Sequence, residues 1–424
     1  MAAIKTSAWF VTTALACAVA ACGVGAEDAD AEATGASRGA LTAIASFGTN
    51  PGNLKMHAYV PAGVGPNAPL VVALHGCTQS ANDYTRAGWN DLAETWKFYV
   101  VYPEQQSANN QNRCFRWFEP QHTRRGSGEA LSIKQMVDEM KRRHGIDASR
   151  VFVTGLSAGG AMTSVMLATY PDVFSAGAIM AGIPYRCASS MTEAFSCMSG
   201  ASRTAEAWGD LVRGASSVGG PFPRVSIWQG TADYTVRPAN ATELVKQWTN
   251  VHGVDARADA EATVDGAAHA EYRDASGQTR VETYTIPNMG HGTAVDPGCA
   301  PAGGCGRAGA YILDTSICST YRAGLFFRLA DASPDDGTEP TPEVDAGAPD
   351  GAVIEEPPPS TGFSCVTHEG TVYGHVAAGR AVRCGAANAY ACAVGSNQQL
   401  GLWNMMPKTL KETAAGYYEV GACP

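Results

Sequence analysis

Apolar residues in this chain fall into short unbroken runs separated by longer amphipathic stretches. Leu70-Val71-Val72-Ala73-Leu74 and Val151-Phe152-Val153 contain no polar position. Runs this short, rich in β-branched residues and without alternation, predict strands buried on both faces. Residues 98–102, 225–228 and 281–286 predict three more strands. Between them, residues 89–96, 133–144, 161–169 and 242–251 carry apolar positions at helical spacing. Residues 41–59 read as an opening pair of strands around a turn at Thr49-Asn50-Pro51-Gly52. Strands alternating with helices predict an α/β domain with a mostly parallel sheet and helices on both faces. In such sheets the chemistry sits beyond the carboxyl ends of the strands.

The candidate chemistry follows those strand ends. Gly155, Ser157 and Gly159 spell G-x-S-x-G between the Val151 strand and a predicted helix, the setting of a nucleophile elbow. A serine on such a turn needs a base, and the base needs an orienting carboxylate. His291 follows the 281–286 strand and lies between Gly290 and Gly292. His252 and His269 read as residues of polar, loop-like surroundings. Asp233 follows the 225–228 strand, whereas no clear strand precedes Asp210 or Asp259. Ser157, Asp233 and His291 are therefore the expected triad. Two backbone N–H groups are needed for the developing oxyanion. Ala158 follows the nucleophile, and Cys77 ends His75-Gly76-Cys77 after the Leu70 strand, so these two are the expected donors. A bond from the Cys77 sulfur to Cys114 would fix that loop. A nucleophilic role for Cys77 fits less well beside a serine elbow. Trp89, Trp117 and Trp228 are candidates for binding a polymer or an aryl group, with core packing as their alternative.

Composition refines the organisation. The chain has 424 residues and a formal charge of −10. Residues 331–360 hold nine acidic residues and no Lys or Arg, and residues 363–424 hold four basic against three acidic, which leaves about −2 for residues 1–330. The acidity thus belongs to a linker, and no basic stripe suggests nucleic-acid binding. Residues 1–22 read as an export signal, with Lys5 before an apolar run too short to span a membrane. Val19-Ala20-Ala21-Cys22-Gly23 resembles a lipobox, which would make Cys22 a lipidated terminus and the only route to a membrane; ordinary cleavage after small residues, with free secretion, is the alternative. Residues 23–40 would be a tether, 41–330 the α/β domain, 331–360 an extended Pro-rich linker and 361–424 a small module. Of 13 cysteines, seven lie in residues 41–330 and four in the module. In an exported chain they predict disulfides. Pairing stays open, with Cys187–Cys197 the most local choice and one of the seven left over. Within the module, Tyr373, Tyr390, Trp403, Tyr417 and Tyr418 could form a binding face or simply fill a small core. The spacing of Cys and His suggests no metal site, and no cofactor is expected. A monomer is expected.

Several separated motifs then carry a resemblance. Leu74-His75-Gly76-Cys77-Thr78-Gln79, Tyr102-Pro103-Glu104-Gln105-Gln106, Asn112-Arg113-Cys114-Phe115, Gly155-Leu156-Ser157-Ala158-Gly159-Gly160 and Met289-Gly290-His291-Gly292 resemble the esterase family of extracellular poly(3-hydroxybutyrate) depolymerases. The likeness runs in order from about Ser46 to Leu329. It implies an α/β-hydrolase fold, a triad of Ser157, Asp233 and His291, Cys77 at the oxyanion position, and a polymeric ester as substrate. The same family shades into acetyl xylan and feruloyl esterases. The linker and C-terminal module resemble the layout in which an appended domain holds an insoluble polymer. A peptidase of the same fold is a further enzyme reading. A rival from another class is a non-catalytic surface lipoprotein that binds polymer through the module, which an intact triad argues against.

Overall fold

A computed structural model describes residues 40–218, 220–297 and 305–330, and within the C-terminal module 365–371, 375, 380–384, 390–393, 399–402, 407–414, 417–420 and 423. The expected export signal with Cys22, the tether before residue 40, the linker 331–360, Cys299, Tyr373 and Trp403 lie outside the described residues. Among the described residues no helix is long and apolar enough to cross a membrane.

The chain opens with strands β1 (Thr42–Ile44), β2 (Lys55–Tyr59) and β3 (Leu70–Leu74). Helices α1 (Ala81–Tyr84) and α2 (Trp89–Trp96) follow, then β4 (Tyr99–Glu104), α3 (Gly128–His144), β5 (Val151–Leu156), α4 (Ala158–Thr169) and β6 (Ala176–Met180). Next come α5 (Met191–Met198), α6 (Ala205–Arg213), β7 (Arg224–Gly230) and α7 (Ala239–His252). Strands β8 (Ala260–Val264), β9 (Ala267–Arg273), β10 (Thr279–Ile286), β11 (Thr293–Val295) and β12 (Ile312–Asp314) lead to α8 (Ser319–Phe326). One ten-stranded sheet runs in the order β1-β2-β4-β3-β5-β6-β7-β10-β9-β8. It is parallel from β4 through β10, and antiparallel pairs close both edges. This is the mostly parallel α/β architecture that the apolar runs predict.

Alternate side chains of the central strands feed two cores, because successive residues of a strand point to opposite faces. Val72, Val153, Ile179 and Ile227 pack on one face with Ile133, Met136, Val165, Trp208 and Trp248 from α3, α4, α6 and α7. Val71, Phe152, Ala178 and Trp228 pack on the other with Leu92 and Ala323 from α2 and α8. Helices therefore cover both faces.

Several elements differ from the expectation, among them helices α5 and α6, which it lacked. Strand β6 and the hairpin β8–β9 were absent from it, and His269 lies on β9 rather than in a loop. His269 Nε2 is 3.1 Å from Glu282 Oε2, and its ring stacks on Tyr284. His252 ends α7, with Nε2 3.0 Å from the Pro223 carbonyl. Helix α3 starts five residues before the predicted residue 133.

Disulfides Cys77–Cys114, Cys187–Cys197 and Cys305–Cys318 tie the α/β domain, and Cys365–Cys423 brackets the module. Two three-stranded sheets make up the module's described part: β13 (Val366–Thr371), β17 (Pro407–Ala414) and β18 (Tyr417–Val420), and β14 (Ala381–Cys384), β15 (Tyr390–Ala393) and β16 (Gln399–Leu402). Tyr418 packs against Ala393, Leu400 and Leu410, so it serves the small core. The side chains of Tyr390, Tyr417, Cys384 and Cys392 lie outside the described residues.

The Cys187–Cys197 bond spans a sequence separation of 10 around α5. Replacing both cysteines with Ala should lower the unfolding free energy by about 2–3 kcal/mol, the loop-closure entropy of a link of this size. Guanidinium titration of the non-reduced protein measures it, with ester KM unchanged.

Candidate active site

Strand β5 delivers Ser157 at the carboxyl edge of the sheet, directly before α4. Its backbone sits at φ 57°, ψ −116°, a region that L-residues rarely occupy and that is held only by surrounding structure. Two hydrogen bonds hold it here. The Ser157 N–H donates to the Met180 carbonyl at 2.9 Å, and the Ser157 carbonyl accepts from Ala161 N–H at 2.8 Å. The turn also needs glycine at 159. A Cβ there would lie 2.3 Å from the Leu74 carbonyl oxygen and 2.6 Å from that of His75. The start of α4 is thus pressed against the end of β3. Ala158 is the first residue of α4, where backbone N–H groups have no partner within the helix.

Asp233 and His291 come from loops after the adjacent parallel strands β7 and β10. His291 Nδ1 lies 2.7 Å from Asp233 Oδ2. The carboxylate is buried, and each of its oxygens is engaged. Oδ1 accepts from the N–H groups of Thr235 and Val236, both at 2.9 Å, and Oδ2 also accepts from Gln229 Nε2 at 3.2 Å. The two loops are stitched by backbone. Ala232 N–H donates to the Met289 carbonyl at 3.0 Å, and Asn288 N–H to Thr231 Oγ1 at 2.8 Å. Gly230 permits this approach, since a Cβ there would lie 2.2 Å from the Met289 carbonyl oxygen. With Nδ1 on the carboxylate, the tautomer is fixed and Nε2 is left as the basic nitrogen. Asp210 and Asp259 are engaged elsewhere, with Arg213 and with the Arg273 N–H.

The loop after β3 is held from several sides. The disulfide to Cys114 anchors Cys77, Thr78 N–H donates to the Asn112 carbonyl at 2.6 Å, and Arg113 donates to the Thr78 carbonyl. His75 is fully buried. Its Nδ1 meets the Gly76 carbonyl at 2.7 Å, and its Nε2 accepts from Gln105 N–H at 3.0 Å. An imidazole that both donates and accepts is neutral, and burial pushes its pKa down to about 4. Gln105 passes the network on through Nε2 to buried Glu129 at 2.6 Å. Glu129 also accepts from the backbone N–H and Nε of Arg116, yet burial still raises its pKa.

The three tryptophans are buried rather than presented to a ligand. Trp89 stacks on Phe327, with ring centroids 6.0 Å apart, and Trp228 stacks on Tyr284 at 3.9 Å. Trp117 is buried in the apolar cluster that contains Ala158. Each is core, because a large ring gains most by complete burial. The exposed rings near the site are tyrosines that the sequence reading passed over. Tyr234 follows Asp233 and is 87% exposed; Tyr311 is 45% exposed, and its ring lies nearly perpendicular to that of His291 with centroids 6.1 Å apart. Gln229, Thr235 and Val236, which hold Asp233, were also missed. The Asp-x-Thr spacing of an Asx turn was the available signal for the last two. Among the described residues no group of His, Cys, Asp or Glu could hold a metal ion.

Residues 54–271 match the family model described as esterase PHB depolymerase. The chain is 61% identical to poly(3-hydroxyalkanoate) depolymerase C of Paucimonas lemoignei over 292 residues, 68% of this chain and 70% of that one. It is 37% identical to an acetylxylan esterase of Coprinopsis cinerea, over 60% of this chain and 69% of the relative. It is 38% identical to feruloyl esterase B of Thermothelomyces thermophilus, over 51% and 76%. Among solved structures, the acetyl xylan esterase of Aspergillus awamori superposes with a TM-score of 0.55 at 29% identity, covering 60% of this chain and 94% of that one.

Burial holds the pKa of both His75 and His252 at about 4, below their ordinary 6.5. Between those values the unfolded chain takes up protons that the folded chain refuses, so stability falls as pH drops from about 6.5 to about 4. The thermal midpoint should decline across this window, and less steeply in His252→Gln. Trp228→Phe should lower the thermal midpoint, because it removes the indole hydrogen bond to Ser226, yet leave KM for a soluble ester unchanged.

Proposed function

Because the chain belongs to the esterase PHB depolymerase family, we propose that it is a serine esterase that hydrolyses polyhydroxyalkanoate-type polyester, with Ser157, Asp233 and His291 as its triad. The observation that carries the assignment is the 2.7 Å contact of His291 Nδ1 with the buried, fully engaged Asp233 carboxylate, on the same sheet edge as a serine in elbow geometry. In the first step His291 Nε2 takes the proton of the Ser157 hydroxyl, whose oxygen bonds to the ester carbonyl carbon. The N–H groups of Cys77 and Ala158 hold the resulting oxyanion. Collapse expels the alcohol end of the chain, protonated by the imidazolium, and leaves an acyl-serine. Water, deprotonated by the same nitrogen, then releases the acid and restores Ser157. Asp233 holds the tautomer and stabilises the imidazolium at each half-reaction.

The much higher identity to the polyhydroxyalkanoate enzyme than to the xylan and feruloyl esterases favours polyester over plant polysaccharide. Exposed Tyr311 supplies partly apolar surface beside His291, and exposed Tyr234 follows Asp233 in the chain. The disulfides support export into an oxidising compartment, and the lipobox-like run at Cys22 supports a surface tether there.

Hydrolysis should be compared on polyhydroxybutyrate film, acetylated xylan and methyl ferulate. Release of hydroxyacid from the film should dominate, and Ser157→Ala should lower turnover by about 10⁴-fold or more. Preferential release of acetate or ferulate would overturn the substrate; near-full activity of Ser157→Ala would overturn the triad.

A further inference from the structure

Gln79 is almost fully buried and joins two segments that are far apart in sequence. Its Oε1 accepts from Gly76 N–H at 2.8 Å, and its Nε2 donates to the Ala310 carbonyl, also at 2.8 Å. Its own N–H meets the Gly76 carbonyl at 3.3 Å, so the side chain springs from the loop that it braces. On one side Gly76 immediately precedes Cys77. On the other, Ala310 precedes Tyr311, whose ring packs nearly perpendicular to that of His291 and whose carbonyl accepts from Thr293 N–H at 2.9 Å. Thr293 lies two residues after His291. One carboxamide thus spans the oxyanion loop and the wall of the histidine loop.

The chemistry of that position is selective. Gly76 presents a donor and Ala310 an acceptor, so the bridging group must accept at one end and donate at the other. A neutral carboxamide does both. A carboxylate has no donor and would set its charge against the Ala310 carbonyl, whereas a protonated carboxyl regains the donor. Methionine fills the volume and makes neither bond. In the transition state, negative charge on the ester oxygen and positive charge on His291 develop together, so the spacing of the two loops matters for both.

We propose that Gln79 is a positioning residue that fixes the oxyanion loop relative to His291. This rests on the triad and oxyanion assignments above. A misplacement of about 1 Å in such a constellation can cost about 10²-fold in rate. Gln79→Met should therefore lower kcat for a short-chain p-nitrophenyl ester by about 10- to 100-fold, with KM changed less than about threefold. Gln79→Glu supplies a second readout that simple loss of packing would not move. Its kcat relative to the parent enzyme should rise as pH is lowered from 9 to 5, as the introduced carboxyl gains its proton and with it the donor to Ala310. A folded Gln79→Met enzyme within twofold of the parent would overturn the proposal. So would a Gln79→Glu ratio that stays constant over that range, and this arm stands even where Gln79→Met fails to fold. Ser157→Ala, assayed alongside, separates the two readings: if it stays active, the triad itself is wrong, whereas an inactive Ser157→Ala beside a fully active Gln79→Met removes only the role of Gln79.

Discussion

The carboxyl edge of the sheet depends on how closely α4 begins to the end of β3. Backbone meets backbone there, with Gly159 against the carbonyls of Leu74 and His75 and no room for a Cβ. That contact forces Ser157 into its unusual φ and ψ, and it brings the first N–H groups of α4 beside the loop that carries Cys77. The strained torsion is affordable because the parallel core beneath it, from β3 through β7, is buried almost throughout. A looser junction would relax the serine and open the proposed oxyanion site in the same movement.

The machinery is built in two halves. One half is β3, β5 and α4, with the serine and both proposed oxyanion donors. The other is β7 and β10, with the proposed acid and base on loops joined by their own backbone hydrogen bonds. Each half is internally stiff. Strand β6 separates them within the sheet, and the Ser157 N–H bond to Met180 and the Ala181 N–H bond to Trp228 carry alignment across it. Such a division tolerates change within one half better than change at the joints between them.

Much of this was legible in the chain. The apolar runs at Leu70 and Val151 announced a parallel sheet, and the residues after strand ends pointed to the triad proposed here, Ser157, Asp233 and His291. Strand β6 was hidden because Ala176-Gly177-Ala178 lacks branched side chains. Its smallness serves packing, since a Cβ on Gly177 would lie 2.7 Å from Leu167 of α4. The β8–β9 hairpin was legible and overlooked: Asp265-Gly266 at positive φ between two strands is a two-residue turn with a known sequence signal. Trp89, Trp117 and Trp228 looked like binding residues because tryptophan serves both cores and sites, and local sequence does not say which face a ring will take. The bridge from Gln79 to Ala310 joins residues 231 positions apart, a distance over which pattern reading has no purchase.

The outer edges of the sheet bear on how copies of the molecule behave together. Strand β1 has three residues and β8 has five, and β8 carries Glu261 on an exposed stretch. Its turn is pinned by an ion pair between Asp265 and Arg322, 2.9 Å apart. Long, flat, uncharged edges recruit strands from neighbouring molecules, and short charged ones do not. Edges of this kind keep copies of the molecule from joining edge to edge, so the sheet ends at its tenth strand.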